Sequence, residues 1–284
     1  MELEPPGIIP PDDDPVLGRD PIVARVESLL DAGKDEEALA MAEQALVDGE
    51  GNALDLRYLA GDALLALGRA AEAETRFRAV LDVDAQCAAS RCWLAMALYR
   101  QWRFAEAEVE CELALRAPEP AVDAHIVRGL LFERAGAYAA ADACFHDAAR
   151  LDPERFHRPV RMSRTEFDRE VRQAARRLPR QFRKHLERLP VIVQELPSVE
   201  LGRDGEQVLD PDLLGLFDGV PLPETSTLEG GALRPNYIYL FQRNLERFAR
   251  DREDLVEQIS VTLYHELGHY LGFEEEDMDE LGLA

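Results

Sequence analysis

Gly68-Arg69-Ala70-Ala71-Glu72-Ala73 returns 34 residues later as Trp102-Arg103-Phe104-Ala105-Glu106-Ala107, and 34 residues after that as Gly136-Ala137-Tyr138-Ala139-Ala140-Ala141. Phe77, Cys111 and Phe145 follow the aligned alanines at a fixed offset, and Val80, Ala114 and Ala148 lie three residues beyond. A non-repetitive helical bundle gives no reason for three landmarks to recur at one interval, so the first half is read as a repeat array. Each unit reads as two amphipathic helices joined at the Gly or Trp position. The small alanine lets the helices cross closely and the aromatic fills the space beside it.

These units resemble the tetratricopeptide repeat, at about 54–87, 88–121 and 122–155, with a degenerate first unit at about 20–53 that carries Gly33 and Ala38. Asp152-Pro153 closes the last unit. The resemblance implies a helical solenoid with a concave groove that takes a protein or peptide ligand. A polar, acidic groove favours a basic or amide-rich ligand. Packing accounts for every landmark residue, so none of them is evidence of chemistry.

The chain has 284 residues, enough for two domains of ordinary size. Its formal charge of −24 speaks against nucleic acid and anionic membranes as partners of the whole molecule. No apolar run approaches a membrane span. The first twenty residues lack the basic and apolar regions of a secretory signal, and 1–19 read as a flexible, acidic, proline-rich tail. A cytoplasmic location is expected. Arg150 to Leu189 reverses the sign, with 13 Lys or Arg against 6 Asp or Glu. It is read as a solvated helix face; contact with the acidic N-terminal half or with RNA is the alternative, and no recognition motif supports it. Cys87, Cys92, Cys111 and Cys144 form no C-x-x-C pair and are read as small core residues with reduced thiols.

After Pro159 the pattern changes. Ser163 and Glu166 have capping-box spacing, and Phe167, Val171, Ala174 and Leu178 recur at helical intervals behind them. Pro179 predicts a break before a short helix that runs to about Leu189. Val191-Ile192-Val193 and Tyr237-Phe241 read as strands, and 196–235 as mostly loop and turn. The last helix is expected from about Glu253 to Leu271, with Leu255, Ile259, Leu263 and Leu267 as its buried stripe.

His265-Glu266-Leu267-Gly268-His269 lies on that helix. Histidines one turn apart project in nearly the same direction, which allows two nitrogens to bind one Zn²⁺ at about 2.0–2.1 Å. Glu266 is rotated to the side of the pair, where it can take a proton from a water whose pKa zinc lowers to about 7. Gly272 can turn the chain back through a positive φ, so that Glu275 supplies the third ligand. Glu274, Glu276, Asp277, Asp279 and Glu280 compete for that place, and Met278 is read as a packing residue rather than a methionine turn. His125, His146, His157 and His185 show no ligand spacing.

From about Arg161 onward the chain resembles the minimal zincins, small bacterial metallopeptidase-like domains. The resemblance is carried by Met162-Ser163 and Phe167, by Leu189-Pro190-Val191-Ile192-Val193, and by Leu214-Gly215-Leu216-Phe217-Asp218-Gly219-Val220-Pro221. Pro235-Asn236-Tyr237-Ile238-Tyr239-Leu240 and the run from Thr262 through His265, Glu266, His269, Gly272 and Glu275 complete it. It implies a small α+β domain in which His265, His269 and the position of Glu275 hold the metal and Glu266 is the general base. The family often has Asp where this chain has Glu275.

The expected organisation is a tail (1–19), tetratricopeptide-like repeats (20–156) and a zincin-like domain (157–284). The expected function is a zinc metallopeptidase in which Glu266 assists attack of zinc-bound water on a peptide substrate while the repeats recruit a protein partner. Tyr237–Phe241 is expected as an edge strand that pairs with an extended substrate, with Tyr239 and Tyr264 as candidate oxyanion stabilisers. The alternative is a protein-binding scaffold with a structural or inactive zinc site.

Overall fold

A computed structural model of the protein describes residues 20–117, 122–203, 208–223 and 235–273. Eight helices occupy the first half: α1 (Pro21–Asp31), α2 (Asp35–Asp48), α3 (Ala53–Ala66), α4 (Ala70–Leu81), α5 (Ala88–Arg100), α6 (Phe104–Leu115), α7 (Asp123–Arg134) and α8 (Tyr138–Leu151). The turns between paired helices fall at Gly33, Gly68, Trp102 and Gly136, all with φ between 61° and 73°. This is the left-handed conformation that ends a helix without steric cost only when the residue is glycine.

The 34-residue landmarks have a packing cause. A Cβ placed on Gly61 would lie 2.7 Å from the Phe77 ring, and one on Gly129 would lie 2.4 Å from the Phe145 ring. In the intervening unit the corresponding residues are Ala95 and Cys111, both buried. A smaller residue at the second position goes with a Cβ at the first, which conserves volume in a close-packed interior.

The second half comprises α9 (Arg164–Arg177), α10 (Arg180–Leu186), β1 (Val191–Gln194), α11 (Val199–Arg203), β2 (Gly215–Asp218), β3 (Tyr237–Phe241), α12 (Gln242–Phe248) and α13 (Arg252–Leu271). The Ser163 and Glu166 capping box opens α9 as expected. Three strands form one sheet in the order β1-β3-β2. β1 runs parallel to β3 with Val191 beside Ile238, and β2 runs antiparallel with Leu216 opposite Tyr239. One expectation is corrected: Tyr237–Phe241 is the central strand rather than an edge. The described part of 196–235, expected to be mostly loop and turn, also contains α11 and β2. β2 has four residues inside a Gly-, Pro- and Asp-rich stretch, so its stability comes from pairing with β3 and not from a local pattern.

Ile238 and Leu240 project from β3 into a core shared with Leu255, Ile259, Leu263 and Leu267 of α13 and with Phe167, Val171, Ala174 and Leu178. Compact packing divides the chain between Leu94 and Ala95, while the 34-residue pattern ends near 156. The later unit holds together because the buried Glu133 of α7 and the half-buried Asp142 of α8 are bonded to the segments beyond them. The Glu133 carboxylate is 1% exposed and accepts from Arg161 (2.8 Å), Arg243 (3.5 Å) and Arg247. Arg161 also donates to Asp142 and to the buried Glu246, which accepts from Met162 N–H as well. Among the described residues, no helix is long and apolar enough to cross a membrane.

Candidate metal centre

Asp251 caps α13, its Oδ1 accepting from Glu253 N–H (2.9 Å) and Asp254 N–H (3.0 Å). With Leu255, Ile259, Leu263 and Leu267 facing the core, the helical period of about 3.6 residues brings His265 and His269 together on a flanking face. Their Nε2 atoms are 3.0 Å apart, with ring planes at 89°. Two nitrogens bound tetrahedrally to one zinc at about 2.0–2.1 Å would be about 3.3 Å apart, so the pair fits that ion. Both lie in the last two turns of α13, where the negative end of the helix dipole favours a cation.

α13 ends at Leu271, and Gly272 takes φ 79°. Phe273 N–H then donates back to Gly268 O at 3.1 Å. A Cβ at 272 would also meet Pro223 Cγ at 2.8 Å, so both backbone and neighbour call for glycine. Among the described residues, no three His, Cys, Asp or Glu side chains are arranged to hold a metal ion. Glu275, its acidic competitors and Met278 lie outside the described residues.

Glu266 is buried beside β2, and its Oε2 accepts from Phe217 N–H at 2.7 Å. The approach requires Gly215, where a Cβ would come within 2.5 Å of Thr262 Cγ2 and 3.0 Å of Glu266 Oε1. Next to the histidines and Glu266 opens a cleft of about 580 Å³, which Leu209, Leu213, Phe217 and Pro223 help to line. Its rim is pinned by two bonds between Asn236 and Val220 (2.9 and 3.2 Å) and by Leu222 N–H to Tyr270 O (2.7 Å).

The wall at Leu209–Leu213 is held from the helical repeats. Trp102 Nε1 donates to Leu209 O (2.8 Å), and Arg134 donates to Pro197 O and Pro211 O (2.6 Å each). The Tyr99 hydroxyl donates to Asp212 Oδ1 (3.1 Å), and Arg247 reaches the same oxygen at 2.7 Å. Burial and the Asp212 charge push the Tyr99 phenol well above its ordinary pKa, so it stays a donor. Asn244 Nδ2 completes the fastening at Pro211 O and Leu213 O.

Neither candidate oxyanion tyrosine faces this cleft. Tyr264 gives its hydroxyl to Ala174 O (2.8 Å), and Tyr239 stacks on Phe241. The sequence reading missed β2 with Gly215 and Phe217, the Asn236 latch and the wall fasteners. Two signals were present: a short apolar run, Leu214-Gly215-Leu216-Phe217, between polar stretches, and a tryptophan where the other repeats turn on glycine.

Residues 186–283, about a third of the chain, match a family model described as zincin-like metallopeptidase. Among solved structures, the chain is similar to several tetratricopeptide proteins over slightly less than half of its length. One is TTC0263, a thermophilic TPR protein of Thermus thermophilus, at 21% identity over 46% of this chain and 73% of that chain, with a TM-score of 0.42. Another is a tetratricopeptide repeat protein from Parabacteroides merdae ATCC 43184, at 17% identity over 47% and 52%, with a TM-score of 0.39. A third is YrrB, a TPR protein with an unusual peptide-binding site, at 20% identity over 47% and 68%, also at 0.39. No curated protein matches the chain.

Proposed function

We propose that this chain, in which tetratricopeptide-like helical repeats precede a zincin-like domain, is a zinc-dependent peptidase whose repeats recruit a protein or peptide partner. The observation that carries the reading is the 3.0 Å convergence of two imidazole nitrogens beside the buried Glu266 carboxylate. His265 and His269 would hold the ion, with Glu275 as third ligand beyond the turn at Gly272. Zinc, when bound, supplies Lewis-acid chemistry, polarising a carbonyl and making water more acidic.

The chain's own residues account for the rest. Phe217 N–H holds Glu266 Oε2 and so fixes the carboxylate among the residues that line the cleft. Glu266 takes a proton from the attacking water as the water oxygen bonds to the peptide carbon. It returns that proton to the amide nitrogen as the C–N bond breaks and the amine leaves. Phe241 N–H donates to Leu214 O, so Leu214, Leu216 and Asp218 turn their backbone groups to β3 while Gly215 and Phe217 turn theirs outward. With Phe217 N–H given to Glu266, the outward backbone groups of Gly215 and the Phe217 carbonyl are in place to pair with an extended substrate, the role first expected of Tyr237–Phe241. Cys87, Cys92, Cys111 and Cys144 form no disulfide, which is in keeping with a reducing, cytoplasmic setting. Recruitment by the repeats would raise the local concentration of whatever reaches the cleft.

One observation favours a second reading, a binding scaffold with an inactive zinc site. The Phe217 N–H bond occupies Glu266 Oε2, so that oxygen is not available to take a proton. Zinc stoichiometry and cleavage of a peptide library by native protein and Glu266→Gln separate the two. The peptidase reading expects both to retain zinc and Glu266→Gln to lose at least about 100-fold in kcat. Zinc retained without cleavage by either protein leaves the scaffold, and no zinc under replete conditions removes both.

A further inference from the structure

The sheet has a second open edge, and it faces a groove that the cleft chemistry does not use. Ile238 N–H donates to Pro190 O, so in the parallel ladder Pro190, Ile192 and Gln194 turn their backbone groups to β3. Val191 and Val193 turn theirs outward. The Arg164 guanidinium caps Val193 O at 2.6 Å, and among the described residues no bond reaches the outward N–H or C=O of Val191. Opposite this edge, α9 and α10 form the other bank of a groove of about 690 Å³, with Val171, Ala175 and Leu186 as its apolar part.

The charge of the groove is the anomaly. In a chain with 56 acidic and 32 basic residues, Arg172, Arg176 and Arg183 all line it. Among the described residues, none of the three makes a side-chain hydrogen bond or ion pair. Asp168, which also lines the groove, is paired with Arg164 at 2.9 Å, leaving Glu187 as the remaining acid there. Clustered like charges repel, and an anionic occupant would relieve them. The net charge of the molecule opposes this little, because charges beyond the Debye length of about 8 Å are screened.

We propose that this groove docks an extended, acidic segment of a partner protein, which adds a strand to β1 and sets its carboxylates against Arg172, Arg176 and Arg183. A second copy of the chain is the poorer occupant, since pairing β1 with β1 brings the same arginines together. A segment that alternates acidic and apolar residues offers carboxylates to the arginines and apolar side chains to Val171, Ala175 and Leu186.

A fluorescein-labelled alternating Glu-Val peptide of about eight residues tests this by anisotropy on the full chain in EDTA. Chelation keeps the result independent of the metal-centre reading: this proposal can fail while zinc-dependent cleavage stands, and the converse. Native protein is expected to bind the peptide, and the Lys-Val counterpart at least about tenfold more weakly. Charge reversal in Arg172→Glu/Arg176→Glu is expected to cost about tenfold or more, and the milder Arg172→Ala/Arg176→Ala about threefold or more. Both arginines are exposed, and circular dichroism checks that the variants remain folded. N-methylation of alternate peptide bonds is expected to abolish binding, which surface charge attraction alone would survive.

The proposal is overturned if the native chain does not bind, if the Lys-Val peptide binds equally well, or if both double variants bind like the native chain. It is also overturned if the N-methylated peptide binds unchanged. Dimerisation that the arginine substitutions abolish without any peptide binding would assign the groove to a second copy. Binding that appears only after deletion of residues 274–284 would assign it to the chain's own acidic end.

Discussion

Replacing Trp102 with glycine sets two effects of opposite sign against each other. At φ 61° a tryptophan pays roughly 1–2 kcal/mol that glycine does not, and the equivalent turns at Gly33, Gly68 and Gly136 use glycine. By backbone reasoning alone, Trp102→Gly stabilises. The side chain argues the other way: it is 4% exposed, and its ring lies so close to α11 that a Cβ on Gly202 would come within 2.0 Å of it. Removing a buried aromatic ring costs about 3–5 kcal/mol, a range that includes the cavity left behind. The Leu209 carbonyl also loses its donor, and the Arg134 guanidinium loses the ring face 4.9 Å from it. The net expectation is a loss of about 2–4 kcal/mol, or about 1–2 M in urea midpoint at a slope near 2 kcal/mol/M. Hydrogen exchange of the amides at 208–214 should accelerate in parallel, which localises the effect to the cleft wall. A variant at least as stable as the native chain, with those amides exchanging no faster, would refute the reasoning.

Glu133→Gln removes the one buried carboxylate that Arg161, Arg243 and Arg247 share. Those arginines retain Asp142 and Glu246, Glu195, and Asp212 respectively, so the expected loss is near the low end of the range for breaking a buried pair, about 3 kcal/mol by denaturant unfolding. Gly215→Ala pushes β2 away from Thr262 and Glu266, so zinc content should be retained while the cleavage rate falls about 10–100-fold. Equal loss of zinc and rate would show a collapsed site instead. The Ser163 hydroxyl and backbone N–H, followed by Arg252, hold the Glu166 carboxyl down at about 2. A depressed folded pKa gives stability that is fully present above the ordinary value of 4.5 and is lost as pH falls toward 2. The stability gap between native protein and Glu166→Gln should therefore shrink across that window in acid titrations. A gap that stays constant would sink the assignment.

The helices were legible because their causes are local. A 34-residue interval, glycine at three of four turns and a Ser163/Glu166 box each specify backbone within a few residues. α13 was legible for the same reason, its buried stripe and the stop at Gly272 both being written in a short window. β2 was not, because four residues beside glycine and proline become a strand only through β3, and β3 took the centre of the sheet for that reason. The candidate site divides along the same line. His265, Glu266 and His269 are neighbours on one helix, so their convergence follows from helical geometry. Phe217 N–H, Asn236 and the repeat residues that hold Leu209–Leu213 come from distant parts of the chain, where spacing carries no information. Trp102 was the exception, since a tryptophan in a glycine's place marks a backbone strain that something else must offset.

The wall at Leu209–Leu213 also decides how the molecule can be divided. A shortened chain that begins at His157 would keep His265, Glu266, His269 and the whole sheet, yet lack Tyr99, Trp102 and Arg134. Its cleft would then lose the indole and guanidinium donors that now meet three backbone carbonyls, while α13 and its histidine pair stayed in place. On the proposed peptidase reading, such a fragment is expected to take up zinc and still process peptides poorly, so zinc uptake alone would be a misleading sign of an intact cleft. The smallest intact unit begins inside the repeats, near Ala95, and the third helical pair belongs to the cleft as much as to the array.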